Sequence, residues 1–514
     1  MTTVSRRAVL AGAAGLGTVA VLSGCTSAVQ QARKANAALG SSGGILTIGS
    51  LTDVDPTTIY TQSVTTMGIG LLVFDTLTRY DHQTVRPTPA VAHAWEFSPD
   101  GRALTLHLRG DVRFHSGRLL TARDVAYAVS VYASDAAGSQ LQAAAKAIAA
   151  VETPDDHTAV LRFGAPVPNV FDLLEFMLLT DSDSAGGLLA GESFIGTGPF
   201  RFVGREPGAS VHLVRADGYW RGPARLDGVT IRVIRDPGAL LTSIRAGQSD
   251  LVLDVDPRAL RRFSDRSLYR IDRGDVYDAA YYVGANVTVP ELSDARVRQA
   301  LSYAVDRDRI AEEVFGGAAP PSSAPWARSS PAYDPAAAAH YTRDLGRARS
   351  LLAAAGGGRS LDLSYPTGLA VAPAIAAIVQ NDLADIGVDA RLDPREQASF
   401  SPFLAAGGAR LWIGPHGFGQ SDPATLAAGA APFKPAGNLS RYSDPRYTGL
   451  VRRLTDAPAD QRPAAYRDFT AHLLEQQFVI DVVTAPATYV SPAHTKGLAW
   501  NMYKYIDAHA VTVR

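Results

Sequence analysis

The sequence predicts a mixed α/β chain, and three stretches carry that prediction. "LDLSY" (Leu361–Tyr365), a helical stripe through Ile375, Ile378 or Val379, Leu383 and Ile386, and "VDARLD" (Val388–Asp393) form a strand–helix–strand unit, with Gly387 as a natural helix stop. Such a unit implies a parallel sheet with helices packed on it. "ALTLHLR" (Ala103–Arg109) alternates, with Leu104, Leu106 and Leu108 on one face and Thr105, His107 and Arg109 on the other, the pattern of a half-buried strand. "SDARVRQALSYAVDRDRI" (Ser293–Ile310) spaces Val297, Leu301 and Ala304 or Val305 as a helix, and Asp306 starts a second helical segment through Ile310 and Val314.

From the N-terminus, "MTTVSRRAVLAGAAGLGTVAVLSGC" sets an arginine pair before an Ala/Gly-rich apolar run that is too short and weakly hydrophobic for a membrane span. Leu22-Ser23-Gly24-Cys25 matches a bacterial lipobox, and "SRRAVL" is similar to a twin-arginine signal. The expectation is a signal peptide over 1–24 and a lipidated Cys25 on a polar tether through residue 44, so that the mature protein is exported and anchored outside the membrane. The tether holds a G-x-S-x-G match at 40–44, but a nucleophile elbow needs a strand before the serine and a helix after it.

"ILTIGSL" (Ile45–Leu51) reads as the first strand. Asp100-Gly101 makes a hairpin turn before the alternating strand, and "TARDVAYAVSVY" (Thr121–Tyr132) is a helix with Thr121 as N-cap and Val125, Val129 and Tyr132 inward. "VTIRVIRD" (Val229–Asp236) is a further strand. "DSDSAGGLLAGE" (Asp181–Glu192) imitates a calcium loop at positions 1, 3, 6 and 12, but Ala185 stands where a third oxygen ligand belongs, so a solvated loop is the reading. "GPHGFGQSDP" (414–423) follows the strand containing Trp412. Asp422 before Pro423 has the form of a helix N-cap with proline at the first helical position.

Composition excludes several classes. A net charge of −1 over 514 residues argues against a nucleic-acid binder. The single cysteine excludes an internal disulfide and a cysteine metal cage. There is no P-loop, no H-E-x-x-H and no histidine pair at i, i+4, so no catalytic set, metal site or cofactor motif is assigned.

"AVAHAWEFSPDGRALTLHLRGDVRFHSGRLLTARDVAYAV" (Ala90–Val129) closely resembles a stretch of the family 5 extracellular solute-binding proteins. These are the dipeptide-, oligopeptide- and nickel-binding components of ABC importers. "IGTGPFRFV" (Ile195–Val203), "DGYWRGPARLDGVTIRVI" (Asp217–Ile234), "IRAGQSDL" (Ile244–Leu251), "DARVRQALSYAVDRDRI" (Asp294–Ile310) and "ARSLLAAAGG" (Ala348–Gly357) follow in order, so the resemblance covers essentially all of 45–514. It implies a two-lobed, periplasmic-binding-protein-like clam-shell with a hinge. Lobe I would span 45–284 with an inserted subdomain near 60–195, lobe II 285–480, and 481–514 would return to lobe I. It implies a monomeric receptor, not an enzyme, that captures a peptide or similar solute and delivers it to a permease served by separate ATPase subunits.

Three segments follow strand ends, where open α/β sheets bind ligands. They offer Asp53 and Tyr60, then Tyr282 and Asn286, then Trp412, His416, Phe418 and Asp422. By resemblance they correspond to the family's cleft loops, and Asp422 matches an aspartate that meets a peptide's amino terminus. The wording Gly417-Phe418-Gly419-Gln420-Ser421 before it departs from the usual peptide binders, so the ligand stays open among peptide, nickel chelate, opine-like compound and sugar. The other readings are a same-fold sensor or chaperone, and a tethered hydrolase.

Overall fold

The structure is a computed structural model that describes residues 43–513 except Gln62, Asp254, Gln420 and Ala459. The signal segment, Cys25 and the tether through residue 42 lie outside the described residues. Among the described residues no helix is long and apolar enough to cross a membrane.

One ten-stranded sheet organises the chain. Its strands run in the order Val388–Arg395, Arg359–Pro366, Leu411–His416, Tyr269–Ala285, Val479–Pro492, Leu251–Val252, Ile45–Ser50, Gly228–Val233, Ser210–Arg215 and Phe200–Glu206. Two long antiparallel strands at its centre, of 17 and 14 residues, are shared by both halves. Toward their N- and C-terminal ends respectively they join the half containing Ile45–Ser50, where Val252 pairs with Val490. At the other end Ala280–Ala285 pairs with Leu411–His416. The chain crosses between the halves at these two strands, which gives the expected two-lobed clam-shell with its hinge.

The sequence-level elements are found close to where periodicity puts them. Arg359–Pro366 and Val388–Arg395 pair in parallel with Ala372–Ala384 between them, and Gly387 stops the helix at φ +80°. Ala103–Leu108 lies in a separate four-stranded sheet with Leu104, Leu106 and Leu108 buried, and Gly101 turns the hairpin before it at φ +68°. Asp294 and Asp306 cap the helices Ala295–Ala304 and Arg307–Phe315. Val229–Asp236 is shorter than expected: the strand ends at Val233, and Asp236 instead caps the helix Pro237–Arg245.

Three polar clusters that periodicity does not show hold these pieces together. Arg298 and Arg307 are buried, and their guanidinium groups donate to backbone carbonyls: Arg298 to Leu292, Ser293 and Gln476, and Arg307 to Ser302, Tyr341 and Asp481. Burial lowers both to about 10, which leaves them charged at neutral pH. Arg118 bridges Asp124 and Asp181, and Ser116 also donates to Asp181. Asp181, which heads the calcium-like loop, is thus buried against protein partners rather than solvated as the sequence predicts. Asp507 near the C-terminus meets Arg79 at 2.9 Å and Arg221 at 2.7 Å. Burial alone would raise its carboxyl, but the two guanidiniums outweigh it and hold it at about 2.

Candidate ligand-binding cleft

A cavity of about 560 Å³ sits where the central strands meet both halves of the sheet. Tyr281, Tyr282 and Pro486 of the central strands, with Pro415 of the neighbouring strand Leu411–His416, form its back. One half contributes Ser50–Thr52 with Leu253, Val255, Asp256 and Pro257, and the other contributes Gly368–Val371 with Phe400, Ser401 and Leu404. These loops leave the ends of Ile45–Ser50, Leu251–Val252 and Arg359–Pro366, so the cavity obeys the strand-end rule. Its size falls within the usual ~300–1,000 Å³ of small-molecule sites.

The halves touch on either side of this cavity. Arg258 Nη2 donates to the Ala370 carbonyl at 3.4 Å. On the other side, the helix Val170–Phe176 meets the helix Pro423–Gly429. There Asn169 Nδ2 donates to Thr425 Oγ1 at 2.8 Å, and Thr425 Oγ1 donates to Asp172 Oδ2 at 2.6 Å. The Asp422 backbone N–H reaches the same carboxylate oxygen at 3.0 Å. Tyr80 donates its hydroxyl to Asp172 Oδ1, so the buried carboxyl has three donors. Burial nonetheless dominates, and the Asp172 carboxyl is pushed up to about 7. Glu175, one turn on, is pushed by burial to about 8 and accepts from the Tyr80 and Met502 backbone N–H groups.

Of the eight residues singled out from sequence, Tyr282 lines this cavity. Its hydroxyl accepts from Trp412 Nε1 at 3.2 Å, so Trp412, fully buried, stands directly behind the wall. His416 is buried too; its Nε2 lies 2.8 Å from Asp481 Oδ1, and its ring sits edge-on to Phe433. Phe418 has φ +71° and packs among Phe176 and Tyr503. Asp422 caps its helix through Ala424 N–H at 2.9 Å, and burial raises its carboxyl. Asn286 ties a strand end, donating to Gly407 and Ala409 carbonyls while accepting from Thr288. Asp53 accepts from Gly208 N–H at 2.6 Å and faces Arg205, which fastens the hairpin turn of Phe200–Arg215. Tyr60 packs edge-on to Tyr132 in the core.

The stretch 414–423 therefore reaches the cavity through Gly414 and Pro415 rather than through His416 or Asp422. Sequence reasoning did not single out Asp256, Phe400, Ser401 or Lys504, which the fold brings to the wall. The turn Gly368–Val371 was within reach, because it follows a strand of the recognised βαβ unit. Among the described residues no group of three or more His, Cys, Asp or Glu is arranged to hold a metal ion.

A two-lobed α/β shell with a small cavity at its hinge defines a solute-binding protein. This chain belongs to the bacterial extracellular solute-binding proteins, family 5, whose model matches residues 86–433. It is 29% identical over 429 residues to a putative ABC transporter peptide-binding protein of Brucella ovis, covering 77% of this chain and 78% of that one. The dipeptide-binding protein from Pseudoalteromonas sp. SM9913, solved in complex with Met-Leu, superposes with a TM-score of 0.80 at 18% identity, covering 91% of this chain and 99% of that one. NikZ from Campylobacter jejuni in complex with Ni(L-His) gives 0.78 at 22%, covering 90% and 97%.

Proposed function

We propose that this chain is the receptor of an ABC importer that captures a peptide or peptide-like solute between its lobes and delivers it to the membrane permease. The cavity's position carries the reading: it is walled by both halves and by the strands that join them, so a bound solute contacts everything that must move. A ligand shifts such a shell toward closure by the difference in its affinity for the two forms. The lobe boundaries that go with this are 45–284, with an insert near 60–195, then 285–480, and a return over 481–514. The sheet order supports them.

The peptide reading rests on the Brucella and Pseudoalteromonas relatives and on a cavity sized for a few residues. A nickel chelate has less support, because His416 is turned to Asp481 behind the wall. Attachment through a lipid on Cys25 would keep the receptor beside its permease and raise their effective concentration. Its support is the lipobox in register with the apolar run.

Native mass spectrometry of the purified mature protein, followed by thermal shift with a peptide library, tests the function. A co-purified peptide, or a library member that raises the melting temperature, is the expected result; turnover of the bound molecule would replace the receptor reading with a hydrolase. Cys25→Ser should move the protein from the membrane fraction to the soluble one. Persistence at the membrane would remove the lipid anchor.

A further inference from the structure

We propose that the contact between the helices Val170–Phe176 and Pro423–Gly429 is a proton-dependent latch: Asp172 takes up a proton from solvent as the shell closes and returns it as the shell opens. Closure is then favoured in mildly acidic surroundings. The inference rests on the proposed reading of a receptor whose lobes part and meet, and it adds a regulation of that movement.

The polar members of this contact, Asn169, Asp172, Asp422 and Thr425, do not line the cavity. Asp172 is fully buried between the halves, and Phe418 of one half packs beside it against Phe176 and Tyr503 of the other. Its two oxygens divide the work. Oδ2 takes both bonds that cross the gap, from Thr425 Oγ1 at 2.6 Å and from the Asp422 N–H at 3.0 Å. Oδ1 takes the Tyr80 hydroxyl of its own half at 2.9 Å. Parting the halves removes the first two donors, lets water replace them, and draws the Asp422 carboxyl away.

The charges around Asp172 have the wrong sign to hold it ionised. Across the gap stands Asp422, whose carboxyl caps the Ala424 N–H and raises that of Asp172. Arg462, which opens the helix Arg462–Gln476, acts on Asp422, and Tyr466 of that helix faces both carboxyls. In the same half as Asp172, Glu175 and Tyr80 face it, and Arg79 acts on Glu175. Tyr503 of the C-terminal turn faces it as well, while Lys504 of that turn lines the cavity. Burial raises all three tyrosine hydroxyls, so they remain donors through the neutral range. Among the described residues no arginine, lysine or histidine forms an ion pair with Asp172 or Asp422. Glu175 accepts from the Tyr80 and Met502 N–H groups of its own half, so these partners stay when the halves part.

A carboxyl closed off from water, with a second carboxyl facing it and no cation, favours its neutral form. In the closed shell Asp172 sits at about 7, against an ordinary value of 3.8 once water reaches it. The closed form therefore binds the extra proton between those values. Its advantage is complete below about pH 4 and is lost as pH rises through about 7.

The test reads closure directly and without solute. Cys25→Ser removes the chain's only cysteine, and Arg102→Cys with Arg452→Cys, both at exposed positions, place one spin label on each half. Pulsed electron resonance would give the closed-to-open ratio from pH 6 to pH 8.5, after unfolding and refolding to free the protein of solute. The ratio should rise roughly tenfold from pH 8 to pH 6. Asp172→Asn keeps the three hydrogen bonds and cannot titrate, so it should hold one ratio across the range, near the acidic wild-type value. A purely structural role for Asp172 predicts instead that the variant shifts the ratio by the same factor at every pH. A flat wild-type profile, a single distance at all pH values, or an undiminished slope in Asp172→Asn overturns the latch. Should Asp172→Asn not fold, Asp422→Asn decides, because it keeps the helix cap and removes the like charge: a transition moved to lower pH supports Asp172, and an unmoved one overturns it. None of these outcomes touches the receptor reading, which stands or falls on solute capture.

Discussion

His416 Nε2 lies 2.8 Å from Asp481 Oδ1, and both side chains are buried. The two residues are 65 positions apart and join a strand of one half to a central strand shared by both. Arg307 donates to the carbonyl of the same Asp481. The geometry makes the pair a fastening between that strand and the hinge. His416→Ala would leave a buried carboxylate oxygen without its partner, at a cost of about 1–3 kcal/mol or somewhat more for a charged group. The melting temperature should fall by several degrees, while solute affinity of the folded protein stays within a few-fold of wild type. A large loss of affinity at unchanged stability would place His416 at the ligand instead.

The buried carboxyls around Asp172 make stability depend on pH in an unusual direction. Burial raises Asp172 from 3.8 to about 7, Glu175 from 4.5 to about 8 and Asp75 from 3.8 to about 6. Between the unfolded and folded values the native chain binds more protons than the unfolded one, so stability falls as pH rises. The Asp172 contribution is complete below pH 4 and gone above about pH 7, with a slope of at most about 1.4 kcal/mol per pH unit. His115 and His472, lowered by burial, pull the other way below their ordinary value of 6.5. The isolated quantity is therefore the difference between wild type and Asp172→Asn. The amide can accept from Thr425 and the Asp422 N–H and donate to Tyr80, but it cannot titrate. Thermal melts from pH 5 to 8 should show the variant losing its disadvantage, or gaining, as pH rises. Parallel curves would mean that Asp172 does not titrate in this range.

How far the sequence reaches is clear from particular residues. The helix stop at Gly387, the caps at Thr121, Asp306 and Asp422, and the inward leucines of Ala103–Leu108 were all legible, because each depends on neighbours a few positions away. The partners of Asp53 and His416 were not. Gly208 and Asp481 are distant in the chain, and only the sheet order brings them near. The cavity shows the same divide: Thr52, Asp256, Gly368, Phe400 and Lys504 come from five separate segments. No periodicity marks a wall assembled that way. Family resemblance supplied the two-lobed fold and its hinge, but of the eight residues singled out in the three segments after strand ends only Tyr282 stands on the wall.

Trp412 and Tyr282 provide a separate test of the wall. Trp412 stands opposite Gly284 across the paired strands, and a Cβ on Gly284 would come within 2.1 Å of the indole. Gly284→Ala should therefore force the ring from its place, which removes support from the Tyr282 hydroxyl and destabilises the core by about 1–3 kcal/mol. Tyr282→Phe keeps the packing and deletes one buried hydrogen bond, a change of about 1 kcal/mol. Chemical denaturation should rank the two in that order; equal stabilities would show that the strand pair yields to the added methyl group.

Gly429 tests whether contact between the halves is part of solute capture. It ends the helix that carries Thr425, and a Cβ there would fall 2.0 Å from the carbonyl oxygen of Gln140. That backbone belongs to the other side of the contact, and Gln140 also reaches the cavity. An added side chain meets rigid main chain, so it cannot be absorbed by a rotamer change. The least costly response is rotation about the central strands, which separates Thr425 from Asn169 and Asp172. Gly429→Val should enlarge the radius of gyration in small-angle scattering and weaken solute binding by roughly an order of magnitude or more, because closure must then compress the wedge. Its melting temperature without solute should fall as well, since Phe418 of one half packs against Phe176 and Tyr503 of the other and the wedge disturbs that shared core. Unchanged scattering together with unchanged affinity would show that this contact plays no part in holding the shell shut.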